Sequence, residues 1–127
     1  MSTQQEKLAA EELVAAYAKI LNAADSAAIP SFYTHDGVFM PDGFKTLQTA
    51  DLVKTGGSYL KKANFQISYD LQEVVVDKGF AFINATAQVT STDLSTGKII
   101  NRSSRDFFVL RKQEQEWKIF RYIFNQQ

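Results

Sequence analysis

The paired stretches 80–93, FAFINATAQVTSTD, and 98–112, KIINRSSRDFFVLRK, decide the fold. Over most of each, residue character changes at every second position, the period of a strand with two unlike faces. Ser95-Thr96-Gly97 lies between them and carries the composition of a hairpin turn. The same period extends outward over residues 65–76, closed by Asp77-Lys78-Gly79, and over 117–125, set off by Gln113-Glu114-Gln115. Such segments far exceed the usual strand of about 5–6 residues. A four-stranded meander of this length twists and coils into a strongly curved sheet.

Upstream the period becomes helical. Thr3 and Glu6 have the spacing of a capping box, and Leu13, Tyr17, Ile20, Leu21 and Ala24 form one stripe, so a helix is expected over 4–23. Asp25 can cap a second helix through Ile29 and Phe32, shortened or kinked by Pro30. Val38-Phe39-Met40 reads as a short strand stopped by Pro41-Asp42-Gly43. A third helix starts near Thr49 and carries Leu52, Val53, Tyr59 and Leu60; Gly56-Gly57 weakens it by about 1 kcal/mol per glycine. Helices first and strands afterwards give an α+β fold, and 127 residues fit a single domain over 1–127.

Hairpin pairing fixes which side chains share a face. Across the central hairpin, Arg102 opposes Val89, Ser104 opposes Ala87, Asp106 opposes Ala85, Phe108 opposes Ile83 and Leu110 opposes Ala81. Leu71 and Tyr69 fall beside Ala85 and Ala87, and Tyr122 and Phe120 are expected beside Asp106 and Phe108. One face thus carries Ile67, Tyr69, Asp106, Phe108, Phe120, Tyr122 and Phe124; the other carries Phe80, Phe82, Arg105, Phe107, Val109, Trp117, Ile119, Arg121 and Ile123. A single β-bulge would exchange part of these assignments. Alanines opposite aromatics leave room on the first face, for helix side chains or for a ligand. The apolar end of the second face has the character of an interface, and a homodimer through Phe80, Phe82, Phe107, Val109, Ile119 and Arg121 is expected.

Fourteen basic and fourteen acidic residues cancel, so the chain lacks the positive bias that nucleic-acid binding needs. No apolar run approaches the ~20 residues of a membrane span, and the first residues lack a secretory apolar core. The absence of cysteine removes disulfides and thiolate chemistry and fits a cytoplasmic protein. The single histidine, His35, stands in an expected turn and gives no basis for a metal site. Neither a phosphate-binding glycine loop nor a dinucleotide fingerprint occurs, and no cofactor is expected.

Two runs resemble a known superfamily. Tyr17-x-x-x-Leu21-Asn22-x-x-Asp25-x-x-x-Ile29-x-x-Phe32-Tyr33-x-x-Asp36-Gly37-Val38-Phe39-Met40-Pro41 resembles nuclear transport factor 2-like, or SnoaL-like, proteins. Arg105-Asp106-Phe107-Phe108-Val109-Leu110-Arg111, with Trp117-Lys118-Ile119 and Arg121-Tyr122-x-Phe124-Asn125, is similar to the SgcJ/EcaC-type branch. Gln48 stands where a glycine is common. The resemblance implies a cone-shaped, cystatin-like roll: three N-terminal helices packed in a curved, mainly antiparallel sheet, a pocket in the cone, and dimerisation through the outer face.

Ketosteroid isomerases belong to this superfamily and use a carboxylate base with a tyrosine and a protonated carboxylic acid as oxyanion donors. The resemblance puts Tyr17 at the tyrosine and Phe108 at the acid. Pro41 takes the base position, with Asp42 beside it and, by alternation, on the wrong face. That activity is therefore not expected. Asp106 is the best remaining carboxylate: burial could make it an acid or base, or it could simply accept hydrogen bonds from Tyr122 or an arginine. Arg102, facing inward near the open end, could hold a carboxylate or enolate, or merely occupy the surface. The expected pocket is lined by Tyr17, Phe32, Phe39, Tyr59, Tyr69, Asp106, Phe108 and Tyr122, with Tyr17 and Asp106 as candidate catalytic groups. It would take a small hydrophobic or oxygenated metabolite, with isomerase, cyclase or dehydratase chemistry by proton transfer rather than redox if it is an enzyme. The alternative is a non-catalytic homodimerisation module with a self-filled hollow.

Overall fold

The computed structural model describes residues 2–127, and for 53–57 it describes the backbone alone. Helix α1 spans Thr3–Asn22, and a seven-residue 3₁₀ helix covers Ser26–Phe32 with Pro30 inside it. Strands β1 (Tyr33–Met40) and β2 (Leu47–Gln48) precede helix α2 (Leu52–Lys62). Then come β3 (Gln66–Asp77), β4 (Phe80–Thr92), β5 (Ile99–Gln113) and β6 (Glu116–Gln126). The six strands form one sheet in the order β2-β1-β6-β5-β4-β3, antiparallel except where β1 runs parallel to β6. The α+β roll expected from the sequence is the fold observed.

Helix α1 starts one residue earlier than its capping signal implies. The reciprocal cap is made by Ser2 and Gln5, whose backbone N–H groups bond each other's side chains at 3.0 and 3.2 Å. Glu6, left free by this shift, pairs with Lys112 at 3.0 Å. Lys112 lies 4.5 Å above the Trp117 ring, and the Trp117 indole donates to the Glu6 carbonyl at 3.1 Å. The start of the helix is thereby locked onto the closing hairpin. At its other end, the Asn22 side chain accepts from the Ile67 amide at 2.7 Å and donates to the Ile67 carbonyl at 2.9 Å, which pins the helix to β3. Expectations for Val53 and for the surroundings of Gly56-Gly57 lie outside the described residues.

The central registers agree with the hairpin reading: Val89 opposes Arg102, Ala85 opposes Asp106 and Ala81 opposes Leu110, while Leu71 opposes Ala85. The last hairpin differs. Leu110 opposes Ile119 but Val109 opposes Arg121, so Phe120 is an extra residue in β6. That bulge reverses the faces before it. Trp117 and Ile119, expected outside, are buried in the core, with Ile119 fully enclosed, so Ile119 cannot belong to an outer-face interface. Phe120, expected inside, lies outside between the guanidinium groups of Arg111 and Arg121, 4.1 and 3.9 Å from its ring centre. A second bulge at Gln72 leaves Val74 and Val76 packed on the core and Val75 exposed.

Strand β1 is longer than the three residues expected, and His35 lies within it rather than in a turn. Between Tyr33 and Val38 it advances five residues against two on β6. The carbonyls left over in this bulge find side-chain donors: Thr49 Oγ1 donates to Thr34 O at 2.8 Å and to Gly37 O at 3.3 Å, and Arg121 donates to Asp36 O at 3.2 Å. Such bulges bend the strand and strengthen its twist. The core lies on the concave side, between the sheet and the helices, around Val14, Tyr17, Ile83, Phe108, Leu110 and Ile119.

Candidate functional site

The concave side is not completely filled. A cavity of about 600 Å³ lies between the helices and the inner face of the sheet. Helix α1 contributes Tyr17 and Leu21, α2 contributes Tyr59 and Leu60, β1 contributes Phe39, and the sheet contributes Ile67, Tyr69, Val89, Ser104, Asp106, Tyr122 and Phe124. Pro41, Asp42, Phe44 and Lys45 follow β1 along its wall, with Phe44 80% exposed, which marks this segment as the rim. Arg102 also lines the cavity while remaining exposed, two residues along β5 from Ser104 and four from Asp106.

Of the eight residues expected to line a pocket, Tyr17, Phe39, Tyr59, Tyr69, Asp106 and Tyr122 are brought onto this wall. Phe32 and Phe108 stand behind it. Phe32 packs on Tyr17 with ring centres 5.7 Å apart, and Phe108 stacks beneath Tyr122 at 4.1 Å and is fully buried. Asp42 departs from its alternation-based placement: β1 ends at Met40, the chain turns, and Asp42 lies on the cavity wall.

The polar groups inside are connected. Asp106 Oδ1 accepts from Ser104 Oγ at 2.6 Å, and Oδ2 accepts from the Tyr122 hydroxyl at 2.5 Å. The Tyr122 and Tyr69 hydroxyls are 2.8 Å apart. A second pair joins the Tyr17 and Tyr33 hydroxyls, also at 2.8 Å. The hydrogen bond expected between Tyr122 and Asp106 is present, but it runs diagonally, because Phe124 rather than Tyr122 lies directly opposite Asp106. Tyr33 was not singled out by the sequence pattern; its aromatic neighbour Phe32 in the same run masked it.

Burial sets the proton affinities. It raises the Tyr17, Tyr33, Tyr69 and Tyr122 phenols above their ordinary value, so all four hold their protons at neutral pH. Burial also raises the Asp106 carboxyl, opposed by the hydrogen bonds from Ser104 and Tyr122. The arrangement can therefore present neutral hydroxyl groups and one desolvated carboxyl group to an oxygen-bearing guest. Among the described residues, no cluster of three or more His, Asp or Glu side chains is placed to hold a metal ion.

Among the described residues, no helix is long and apolar enough to cross a membrane. No protein-family description matches the chain, and no curated protein does either. Solved structures do. A ketosteroid isomerase-like protein from Erwinia carotovora atroseptica is 28% identical, with 95% of each chain covered and a TM-score of 0.85. A conserved protein from Planctomyces limnophilus is 16% identical with a TM-score of 0.87, over 98% of this chain and 99% of that one. An NTF2-like protein with a cystatin-like fold from Novosphingobium aromaticivorans is 19% identical with a TM-score of 0.69, over 94% and 79% of the two chains. The curved sheet, its enclosed helices and these likenesses along the whole chain give it the nuclear transport factor 2-like, cystatin-like fold.

Proposed function

We propose that the chain is a small-molecule-binding protein of the SnoaL-like kind, nearest in its closing strands to the SgcJ/EcaC-type branch, and that its ligand is a compact hydrophobic metabolite carrying one or two oxygens. The observation that carries this reading is the cavity of about 600 Å³, apolar over most of its wall, into which Tyr17, Tyr69, Tyr122 and Asp106 converge. A volume between about 300 and 1,000 Å³ with a few polar groups is the usual form of a ligand site. A self-filled cone would leave no such space.

If the bound molecule is turned over, the side chains present suit proton transfer: phenols that donate, and the carboxylates of Asp106 and Asp42. Ketosteroid isomerisation is not proposed, because fully buried Phe108 stands where the resemblance calls for the second oxyanion donor. Cytoplasmic residence fits the cysteine-free composition.

Thermal denaturation against compact lipophilic alcohols, phenols and ketones tests the reading. A ligand at a hundredfold excess over its Kd stabilises the fold by about 2.7 kcal/mol. For a domain of this size that raises Tm by roughly 10 °C. No shift from any compound up to its solubility limit would dismiss the proposal.

A second reading, self-association through the outer sheet face, is favoured by its exposed apolar side chains. Phe107 is 38% and Ile123 45% exposed, with Val75 and Phe82 nearby. The two readings are compatible, because they use opposite faces.

A further inference from the structure

The hydroxyl hydrogens in the cavity wall can be assigned one by one. Once ionised, the Asp106 carboxylate only accepts hydrogen bonds, so Ser104 and Tyr122 both donate to it, at 2.6 and 2.5 Å. Tyr122 has a single hydrogen and gives it to Asp106. In the 2.8 Å contact between Tyr122 and Tyr69, the donor must then be Tyr69. Its hydrogen is thereby committed, and among the described residues its oxygen has no other partner. At the wall of the hollow, the Tyr69 oxygen offers lone pairs only.

The other pair resolves differently. Tyr33 is 2% exposed, does not line the hollow, and has Tyr17 as its only hydrogen-bond partner among the described residues. If Tyr17 were the donor, the Tyr33 hydrogen would be buried without an acceptor, which folded proteins avoid. Tyr33 therefore donates, and the Tyr17 hydrogen is free to point into the hollow. Tyr17 and Tyr69 flank the same residue, their ring centres 6.1 and 6.3 Å from that of Tyr122.

We propose that Tyr17 and Tyr69 form a donor–acceptor pair of fixed polarity, and that this pair selects a ligand bearing a hydroxyl group over the corresponding ketone. An alcohol or phenol accepts from Tyr17 and donates to Tyr69. A carbonyl accepts from Tyr17 but sets its second lone pair against that of Tyr69. The polarity is imposed by ionised Asp106 through Tyr122, which makes Asp106 and Tyr122 positioning residues. The inference rests on the hollow being a binding site.

The probes are 2-tetralol and 2-tetralone, one carbon skeleton in two oxidation states, titrated into the full chain by calorimetry or ligand-observed NMR. One neutral hydrogen bond made or missed corresponds to roughly three- to tenfold in Kd, and the alcohol is expected to bind more tightly by that ratio. Tyr69→Phe should bring the ratio to about one by weakening the alcohol alone. Tyr17→Phe should weaken both probes together. Tyr122→Phe is an independent check: it frees the Tyr69 hydrogen to turn inward, so ketone binding should strengthen. Equal binding in the unmutated protein, a preference for the ketone, or a ratio unmoved by Tyr69→Phe would overturn the polarity while leaving the binding site standing. Binding of neither probe would overturn both.

Discussion

Asp36 and Asp106 are displaced in opposite directions by opposite physics. Asp36 is exposed on β1 and is held down to a pKa of about 2, first by its hydrogen bond from Arg111 at 2.5 Å. A carboxyl lowered on folding contributes stability above its unfolded value of about 3.9, and this contribution disappears as the pH falls towards 2. Asp106 is the reverse. Its folded value is raised, so the native state holds the proton more tightly than the unfolded chain does. Its contribution is greatest below about pH 3.9 and declines as pH rises through the folded value. Urea midpoints between pH 2 and 8 should therefore show two separable limbs. Asp36→Asn should flatten the acid limb alone, and Asp106→Asn should flatten the limb above pH 4 while losing a hydrogen bond worth about 1 kcal/mol. If Asp106→Asn leaves the upper limb unchanged, its burial does not govern its charge. Much at this scale was visible before the fold: alternation alone sent Tyr69, Asp106 and Tyr122 to one face. Tyr33 was not visible as a site residue, because its role depends on a hydroxyl sixteen residues away on another element.

At the scale of elements, the bulges separate what alternation could read from what it could not. The register across β4 and β5 around Ala85 follows from counting outward from the turn between them, whereas Leu71 meets Ala85 through the bulge at Gln72, which counting does not show. The closing strand slips because one added residue changes neither composition nor propensity. Its trace is a local break in period, where Ile119 and Phe120 are both apolar. Strand β1 was largely hidden for a different reason: Thr34-His35-Asp36-Gly37 has turn composition, and its pairing with β6 is parallel and remote. Gly37 makes that pairing possible. A β-carbon there would lie 2.9 Å from the Ile119 carbonyl oxygen, 3.0 Å from that of Thr34 and 3.0 Å from Tyr33 Cβ. Two of these neighbours are backbone atoms that cannot swing aside. Gly37→Ala should destabilise the fold by about 1–3 kcal/mol, the usual range for overpacking. Equilibrium denaturation would measure it, and a neutral result would mean that β1 can shift relative to β6 without loss. Because Tyr33, which bonds Tyr17 from outside the hollow, begins this strand and Phe39 lies near its other end on the wall, the same bulge sets the spacing between these two supports of the site.

For the whole molecule, the sheet divides the available surface into an inner face that encloses the polar network and an outer face left uncovered. The make-up of the outer face differs from the one the sequence pattern implied. Arg121, expected as an interface cation, is occupied within its own chain, donating to the carbonyls of Asp36 and Phe120 and stacking on the Phe120 ring. Ile119 has gone to the core, while Val75, brought out by the bulge at Gln72, joins Phe82, Phe107 and Ile123 on the surface. The Arg105 side chain has no hydrogen bond or ion pair among the described residues, and Asp70 lies on the same cross-strand row, opposite Thr86, which opposes Arg105. In a two-fold assembly each residue of one copy can face a different residue of the other, so this row carries both signs needed for reciprocal pairing. Sedimentation equilibrium should therefore find a dimer. Phe107→Arg, which puts a charge at the centre of the apolar patch, should shift it to monomer without lowering the response of Tm to ligand, because the hollow is on the other side of the sheet. Retention of the dimer by this variant would move the interface elsewhere. A monomeric unmutated chain would leave the outer apolar face uncovered by a second copy.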